Sequence, residues 1–304
     1  MLTRHVIVYK SCTIYKVVGT VIMVRHFFRM FLFLFFCIVC GSYVYLAADE
    51  DGLALYYWRE NFINFGDYIS LQLVERIVGG TVRVCEKKPS GCGQKLLAIG
   101  SIITFAKNND VIWGSGINGK WLALKNYHFT KLDVRAVRGP LTRDFLKKHF
   151  GIDCPEIYGD PALLIPYFFP EFKKKEKPAY DYIIIPHYSE QKLFPKDKYP
   201  QAVYPTDPWD TIIEKIVDSK LVIASSLHGV IVAEAFGVPA RMLRVTNNEP
   251  LFKYKDYYLG TNRPNFKVAY SLQEAVRMGG EKPMKCDLKK LYEAFPFEFW
   301  PRRT

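Results

Sequence analysis

From residue 53 onward, short apolar runs alternate with stretches in which apolar positions recur every three or four residues. That alternation is the pattern of βαβ units, in which buried parallel strands are joined by crossover helices. Leu53 to Trp58, Leu96 to Ile99, Val111 to Trp113 and Val134 to Val137 read as strands of a first set. Tyr182 to Ile185 and Leu221 to Ala224 read as strands of a second set. A helix follows Asp67, with Ile69, Leu73 and Ile77 on its inner face and Gly79-Gly80 as its stop. Another starts at Pro140, a residue suited to the first helical position, and ends near Gly151. Pro208 to Lys220 carries Ile212, Ile213, Ile216 and Val217 on one side, and Val230 to Phe236 predicts a further helix stopped by Gly237. Pro166 to Pro178 has no period and is rich in Pro and Lys, which reads as a linker. The expected fold class is α/β, with two Rossmann-like domains facing a cleft. The first spans residues 53–165, the linker 166–178, and the second 179–304.

The first 52 residues have a different character. Residues 1–48 hold Arg4, Lys10, Lys16, Arg25 and Arg29 and no acidic residue, and residues 30–48 are uncharged. An apolar stretch of that length predicts a transmembrane helix, with the basic side facing the cytoplasm. The expected location is therefore a single-pass membrane protein, or a cytoplasmic one if translation starts downstream. Of the net charge of +12, the five N-terminal cations leave +7 for the rest of the chain. Nucleic-acid binding needs such charge on one face or helix. The densest run, Lys173-Lys174-Lys175-Glu176-Lys177, instead sits beside prolines and reads as a solvated linker, which argues against a nucleic-acid partner. Aromatic residues make up 15% of the chain, which suits carbohydrate handling and membrane proximity equally. Cys85 and Cys92 have the spacing of a small closed loop, but the favoured reading of the seven cysteines is free thiols.

The densest candidate chemistry is Ser225-Ser226-Leu227-His228-Gly229, between a strand and a helix. Ligands of open α/β sheets bind beyond the carboxyl ends of the strands, where a helix N-terminus offers N–H groups to an anion. There His228 is the candidate acid/base, since imidazole titrates near neutrality. Gly114 and Gly116, around Ser115, allow close approach of backbone to a ligand. Asp67 and Asp160 are candidates for the cleft, with capping and turn roles as the plain alternatives. His187 follows the first strand of the second set and is a further candidate for the cleft wall.

Five segments appear in one order: Asn64-Phe65-Gly66-Asp67, Trp113 to Gly116, Val137 to Arg143, Tyr158 to Ala162, and Ser225 to Gly229. Together they resemble the polysaccharide pyruvyltransferase family, and the wording is nearest to members acting on exopolysaccharide or succinoglycan-type units. The resemblance runs from about Leu53 to Pro239. It implies a GT-B-like fold and a metal-independent transfer of a pyruvyl group from phosphoenolpyruvate, with no cofactor. The acceptor it implies is a polysaccharide or a lipid-linked oligosaccharide.

The roles follow from that donor. His228 is catalytic, Arg138 pairs with the donor carboxylate, and Ser225, Ser226, Gly229, Gly114 and Gly116 form the rest of the donor site. Backbone N–H groups of Gly229 and Val230 hold phosphate, and Asn64, Asp67, Asp160 and His187 line the cleft. Many members carry Arg where this chain has Ser226, so another cation is expected here. Two alternatives stand beside this reading. One is a sugar-nucleotide glycosyltransferase, for which Glu234 is the nearest ribose-binding acid. The other is a non-catalytic, membrane-anchored carbohydrate-binding protein.

Overall fold

Two parallel sheets carry the fold, each with its strands in chain order. A computed structural model describes residues 53–85 and 92–300. Strands β1 (Ala54–Tyr56), β2 (Lys95–Leu97), β3 (Val111–Trp113) and β4 (Asp133–Ala136) form the first sheet in the order β1-β2-β3-β4. Strands β5 (Ile183–Ile185), β6 (Val222–Ala224) and β7 (Ala240–Met242) form the second in the order β5-β6-β7. Every pairing is parallel, with Leu55 opposite Leu96 in the first sheet and Ile184 opposite Ile223 in the second. Except at β4, every strand residue is buried, as expected where helices cover a parallel sheet on both faces.

Helix α1 (Phe65–Val78) follows β1 and turns Phe65, Ile69, Leu73 and Val74 inward. Gly79 closes it in the left-handed conformation at φ 71°, returning its N–H to the Glu75 carbonyl. Helix α2 (Pro140–Phe150) opens on its proline, and helix α3 (Ile165–Phe168) overlaps the start of the proline- and lysine-rich stretch. Helix α4 (Trp209–Val217) buries Ile212, Ile213, Ile216 and Val217. Helix α5 (Leu227–Ala235) follows β6 directly, starting three residues earlier than the apolar pattern suggests. Its N-cap is Ser226, whose hydroxyl accepts from the Gly229 N–H at 3.3 Å. The cap moves His228 from the preceding loop into the first helical turn.

The described residues fall in one compact unit, and their largest apolar core draws on residues of both sheets. The span expected at residues 30–48 lies outside the described residues. Among those described, no helix is long and apolar enough to cross a membrane.

The thiols differ from expectation. Cys85 and Cys92 form a disulfide, closing a loop across seven positions of sequence separation. The spacing alone permits both states; the structure brings their Cα atoms to 5.5 Å. Of the other described cysteines, Cys154 and Cys286 are free.

Candidate functional site

A pocket of about 330 Å³ opens where the segments after β1, β2, β3, β5, β6 and β7 meet. Asn64, Asp67, His187, Ser226 and His228 line it, joined by Lys120, Glu249 and Lys253. Its position beyond the strand carboxyl ends is where an open parallel sheet exposes the N-termini of its following helices. Helix α5 presents Ser226, Leu227 and His228 to it.

His228 faces the buried Asp160 carboxylate, with Asp67 also within electrostatic reach. Its Nε2 lies 3.6 Å from Asp160 Oδ2, and neither atom has a hydrogen-bond partner. The other Asp160 oxygen caps the turn at Pro161–Leu164, accepting from the Ala162 N–H at 3.0 Å. The fully buried Asp160 carboxylate thus has one oxygen fixed by backbone and the other facing the imidazole. On the other side, Nδ1 packs against Gly66: a Cβ placed there would stand 2.0 Å from it. No side chain larger than hydrogen fits at residue 66 with the ring in place.

Asp67 follows Gly66 in the first turn of α1. Burial pushes its carboxyl up to about 6, against the opposing pull of His228 and of the Asn64 amide. The Asn64 amide donates to Asp67 Oδ2 at 2.5 Å. Asn64 is the N-cap of α1, so Asp67 is not that helix's cap. A carboxyl that titrates near 6 beside an imidazole makes a second group able to exchange protons at physiological pH.

The cations of the pocket are Lys120 and Lys253, both bonded to Glu249 at 2.5 Å. Lys253 is buried, and desolvation lowers its pKa while Glu249 works to restore it. Burial raises Glu249, but Lys253, His187 and Lys120 outweigh it and hold the carboxyl below its ordinary value. Burial and the Lys253 charge push His187 down to about 3, so this ring is neutral at physiological pH. Its 3.5 Å approach to Glu249 is therefore a polar contact rather than an ion pair. His187 Nδ1 also lies 2.8 Å from the Ser189 hydroxyl. The two ammonium groups thus share the single Glu249 carboxylate.

Several residues singled out in the sequence stand behind the pocket. Arg138 is fully buried and paired with Asp256 at 3.0 Å. It also donates to the Ser101 hydroxyl at 2.5 Å and the Ile117 carbonyl at 2.7 Å. With its donors engaged inside the protein, it holds the pocket wall through Ser101 and does not itself line the pocket. Gly116 makes room for that guanidinium, since a Cβ there would lie 2.4 Å from Arg138 Cζ. Gly114, at φ 81°, makes room for Pro161 in the same way. The Ser225 hydroxyl accepts from the His187 N–H at 2.9 Å and its carbonyl accepts from the Tyr254 hydroxyl at 2.5 Å. The N–H of Gly229 goes to Ser226 Oγ and that of Val230 to the Ser226 carbonyl, so neither is free for phosphate. Glu234 is held by Arg263 at 2.6 Å and by Tyr257, outside the pocket. Sequence reasoning missed Lys120, Lys253 and Glu249. The spacing of Glu249 and Lys253, one helical turn apart, is the signal they carry, and it is shared by any surface ion pair. Among the described residues no group of three His, Cys, Asp or Glu side chains is arranged to hold a metal ion.

Parallel sheets with a His, carboxylates and two lysines at the strand ends define an α/β protein with a polar pocket beyond its strand ends. The family model for polysaccharide pyruvyl transferase matches residues 24–247, and the chain belongs to that family. The match begins upstream of Leu53, where the motif resemblance starts. The chain is similar to an uncharacterized protein of Acanthamoeba polyphaga mimivirus, 26% identical over 67% of this chain and 74% of that one. It is also similar to the succinoglycan biosynthesis protein ExoV of Rhizobium meliloti, 29% identical over 66% of this chain and 63% of ExoV. A crystal structure of an uncharacterized protein from Klebsiella pneumoniae matches 78% of this chain and 98% of its own, with 13% identity and a TM-score of 0.42.

Proposed function

We propose that this protein transfers a pyruvyl group from phosphoenolpyruvate to two hydroxyls of one sugar in a polysaccharide or lipid-linked oligosaccharide, without a metal. The observation that carries the reading is His228 facing Asp160 in a pocket that Asp67, Lys120 and Lys253 also line. The reaction needs a proton donor for the methylene carbon of phosphoenolpyruvate. His228, whose Nε2 faces Asp160 Oδ2, takes that role. The adjacent carbon becomes electrophilic, one sugar hydroxyl adds to it, and the C–O bond to phosphate breaks. The second hydroxyl then closes the ketal. Of the two hydroxyl protons, one restores the imidazolium and the other leaves with inorganic phosphate. Lys253 and Lys120 hold the donor's carboxylate and phosphate, filling the place left by Ser226 and by the buried Arg138. Asp67, titrating near 6, relays the second of these protons to the phosphate as the ketal closes.

In this reading the two sheets are the halves of a GT-B-like fold, divided near residues 166–178, with the pocket as the cleft. A span at residues 30–48, which lie outside the described residues, would put the catalytic part across the bilayer from the basic N-terminus. The Cys85–Cys92 disulfide supports that side, since such bonds persist in oxidising compartments. The test is phosphate release from phosphoenolpyruvate by the full chain, with and without a panel of oligosaccharides and methyl glycosides. Acceptor-dependent release supports the reading. Turnover of a sugar nucleotide instead, with none of phosphoenolpyruvate, would replace it with a glycosyltransferase. The engagement of Glu234 by Arg263 argues against that outcome, because it takes the nearest ribose-binding acid out of the site.

A further inference from the structure

The floor and the mouth of the pocket differ in chemistry. The floor carries His228, Lys253 and Asp67, whereas the mouth carries the rings of Trp58, Phe105, Trp121 and Tyr188. Trp58 and Tyr188 lie 5.4 Å apart between ring centres, and Phe62 closes the group at 6.0 Å from Trp58 and 5.6 Å from Tyr188. These three come from the loop after β1 and the turn after β5, so the ring cluster joins the two sheets at the pocket entrance. Trp121 is 51% exposed and Phe105 37% exposed. The Trp121 indole contributes to the pocket wall. Large exposed rings gathered round one opening are unfavourable in water unless a partner covers them.

The charge pattern says which partner. Aromatic faces carry negative quadrupolar potential, and Glu60 stands among them at the mouth. An anionic donor is repelled there and drawn to the lysines below. A neutral pyranose is not repelled: its apolar C–H faces stack on rings, while its equatorial hydroxyls meet groups such as Asn118 and Thr104 in the wall. A lipid tail would leave those polar groups unpaired. Resting on the pyruvyl-transfer reading, we infer that the ring cluster at the mouth, with Trp121 and Trp58 as its principal faces, is the subsite for the acceptor sugar. It holds the pyranose over the donor with its remaining units leading out to solvent. Donor and acceptor are thereby sorted by depth.

The test uses Trp121→Ala, Trp58→Ala and, as a control away from the pocket, Trp209→Ala. Binding of a methyl pyranoside series and of succinoglycan-derived oligosaccharides is followed by intrinsic tryptophan fluorescence. Acceptor KM and phosphoenolpyruvate KM are measured in parallel with phosphate release. Loss of one stacking face raises acceptor KM roughly tenfold, with phosphoenolpyruvate KM unchanged; Trp209→Ala alters neither. Trp121 projects from the surface, so its variant folds and isolates the stacking effect. Saturable sugar binding unaffected by either pocket variant would overturn the inference, as would absence of saturable binding across the whole sugar panel. Loss of anionic-vesicle binding in Trp121→Ala, with acceptor KM unaltered, would overturn it in favour of a membrane contact. Phosphate release with normal acceptor KM in both variants sinks the subsite and leaves pyruvyl transfer standing. Sugar binding lost in the variants, with no turnover of phosphoenolpyruvate by the parent, keeps the subsite and sinks pyruvyl transfer.

Discussion

Gly66→Ala asks whether the His228 ring works where the structure puts it. The new methyl would stand 2.0 Å from Nδ1, 2.5 Å from Cγ and 2.9 Å from Cβ of His228. An ordinary carbon contact needs about 3.4 Å or more, so the ring must retreat by roughly 1.4 Å. Turning the side chain about its first torsion does not relieve the clash, because Cβ itself is too close. Either the imidazole leaves its place opposite Asp160, or the first turn of α5 shifts with it. A displacement of about 1 Å at a reacting group can lower the rate about 100-fold. Stability changes less: overpacking costs about 1–3 kcal/mol, and Ala in a helix gains up to about 1 kcal/mol over Gly. The assay is acceptor-dependent phosphate release, with a melting curve on the same preparation. The expected result is a folded protein with kcat reduced by about two orders of magnitude. A folded Gly66→Ala variant turning over at the parent rate would refute the placement of His228 in the reaction.

Three further outcomes follow from the same geometry. Asp67 has its pKa raised on folding, to about 6, so its ionised form weakens the fold. Its contribution is fully favourable below the unfolded value of about 4 and is lost as pH rises through 6, a difference of about 3 kcal/mol. Asp67→Asn should therefore raise the melting temperature at pH 7 and not at pH 3.5; parallel stability curves for the two proteins between those pH values would contradict the burial argument. Arg138→Lys should lower stability by about 1–3 kcal/mol, because an ammonium cannot reproduce the fork to Asp256, Ser101 and Ile117. Donor KM should change less than melting temperature, and a tenfold rise in donor KM with unchanged melting would return Arg138 to the donor site. Alkylation of the denatured, unreduced chain should leave Cys85 and Cys92 unlabelled, and replacing both by Ser should cost about 2.5 kcal/mol for a loop of this length. Labelling of both without reductant would remove the disulfide.

The strands and most helices are readable from the chain because burial imposes their pattern. Val111–Trp113 is a strand to the residue, and Gly79 and Pro140 mark helix ends through backbone geometry that few other residues supply. The start of α5 was less legible: Leu227, His228 and Gly229 break the apolar run, and the serine cap overrides that break. In the site, Asn64, Asp67, His187, Ser226 and His228 reach the pocket together. Arg138, Gly114, Gly116, Ser225 and Gly229 form its support instead. A motif constrains a residue equally whether it meets ligand or the residue behind ligand, and Gly116 fitting round Arg138 is an instance. Lys253 was invisible because its importance comes from burial beside Glu249, a tertiary fact.

The most direct test of the account is to incubate the full chain and its His228→Asn variant with phosphoenolpyruvate and an acceptor oligosaccharide, and to weigh the sugar product by mass spectrometry. The account predicts that the parent converts the oligosaccharide to its pyruvyl ketal with one phosphate released per ketal formed, and that His228→Asn, although folded, forms none above background. Ketal formation at the parent rate by the variant would contradict the role given to His228. Phosphate released with no ketal on any sugar would contradict the transfer itself.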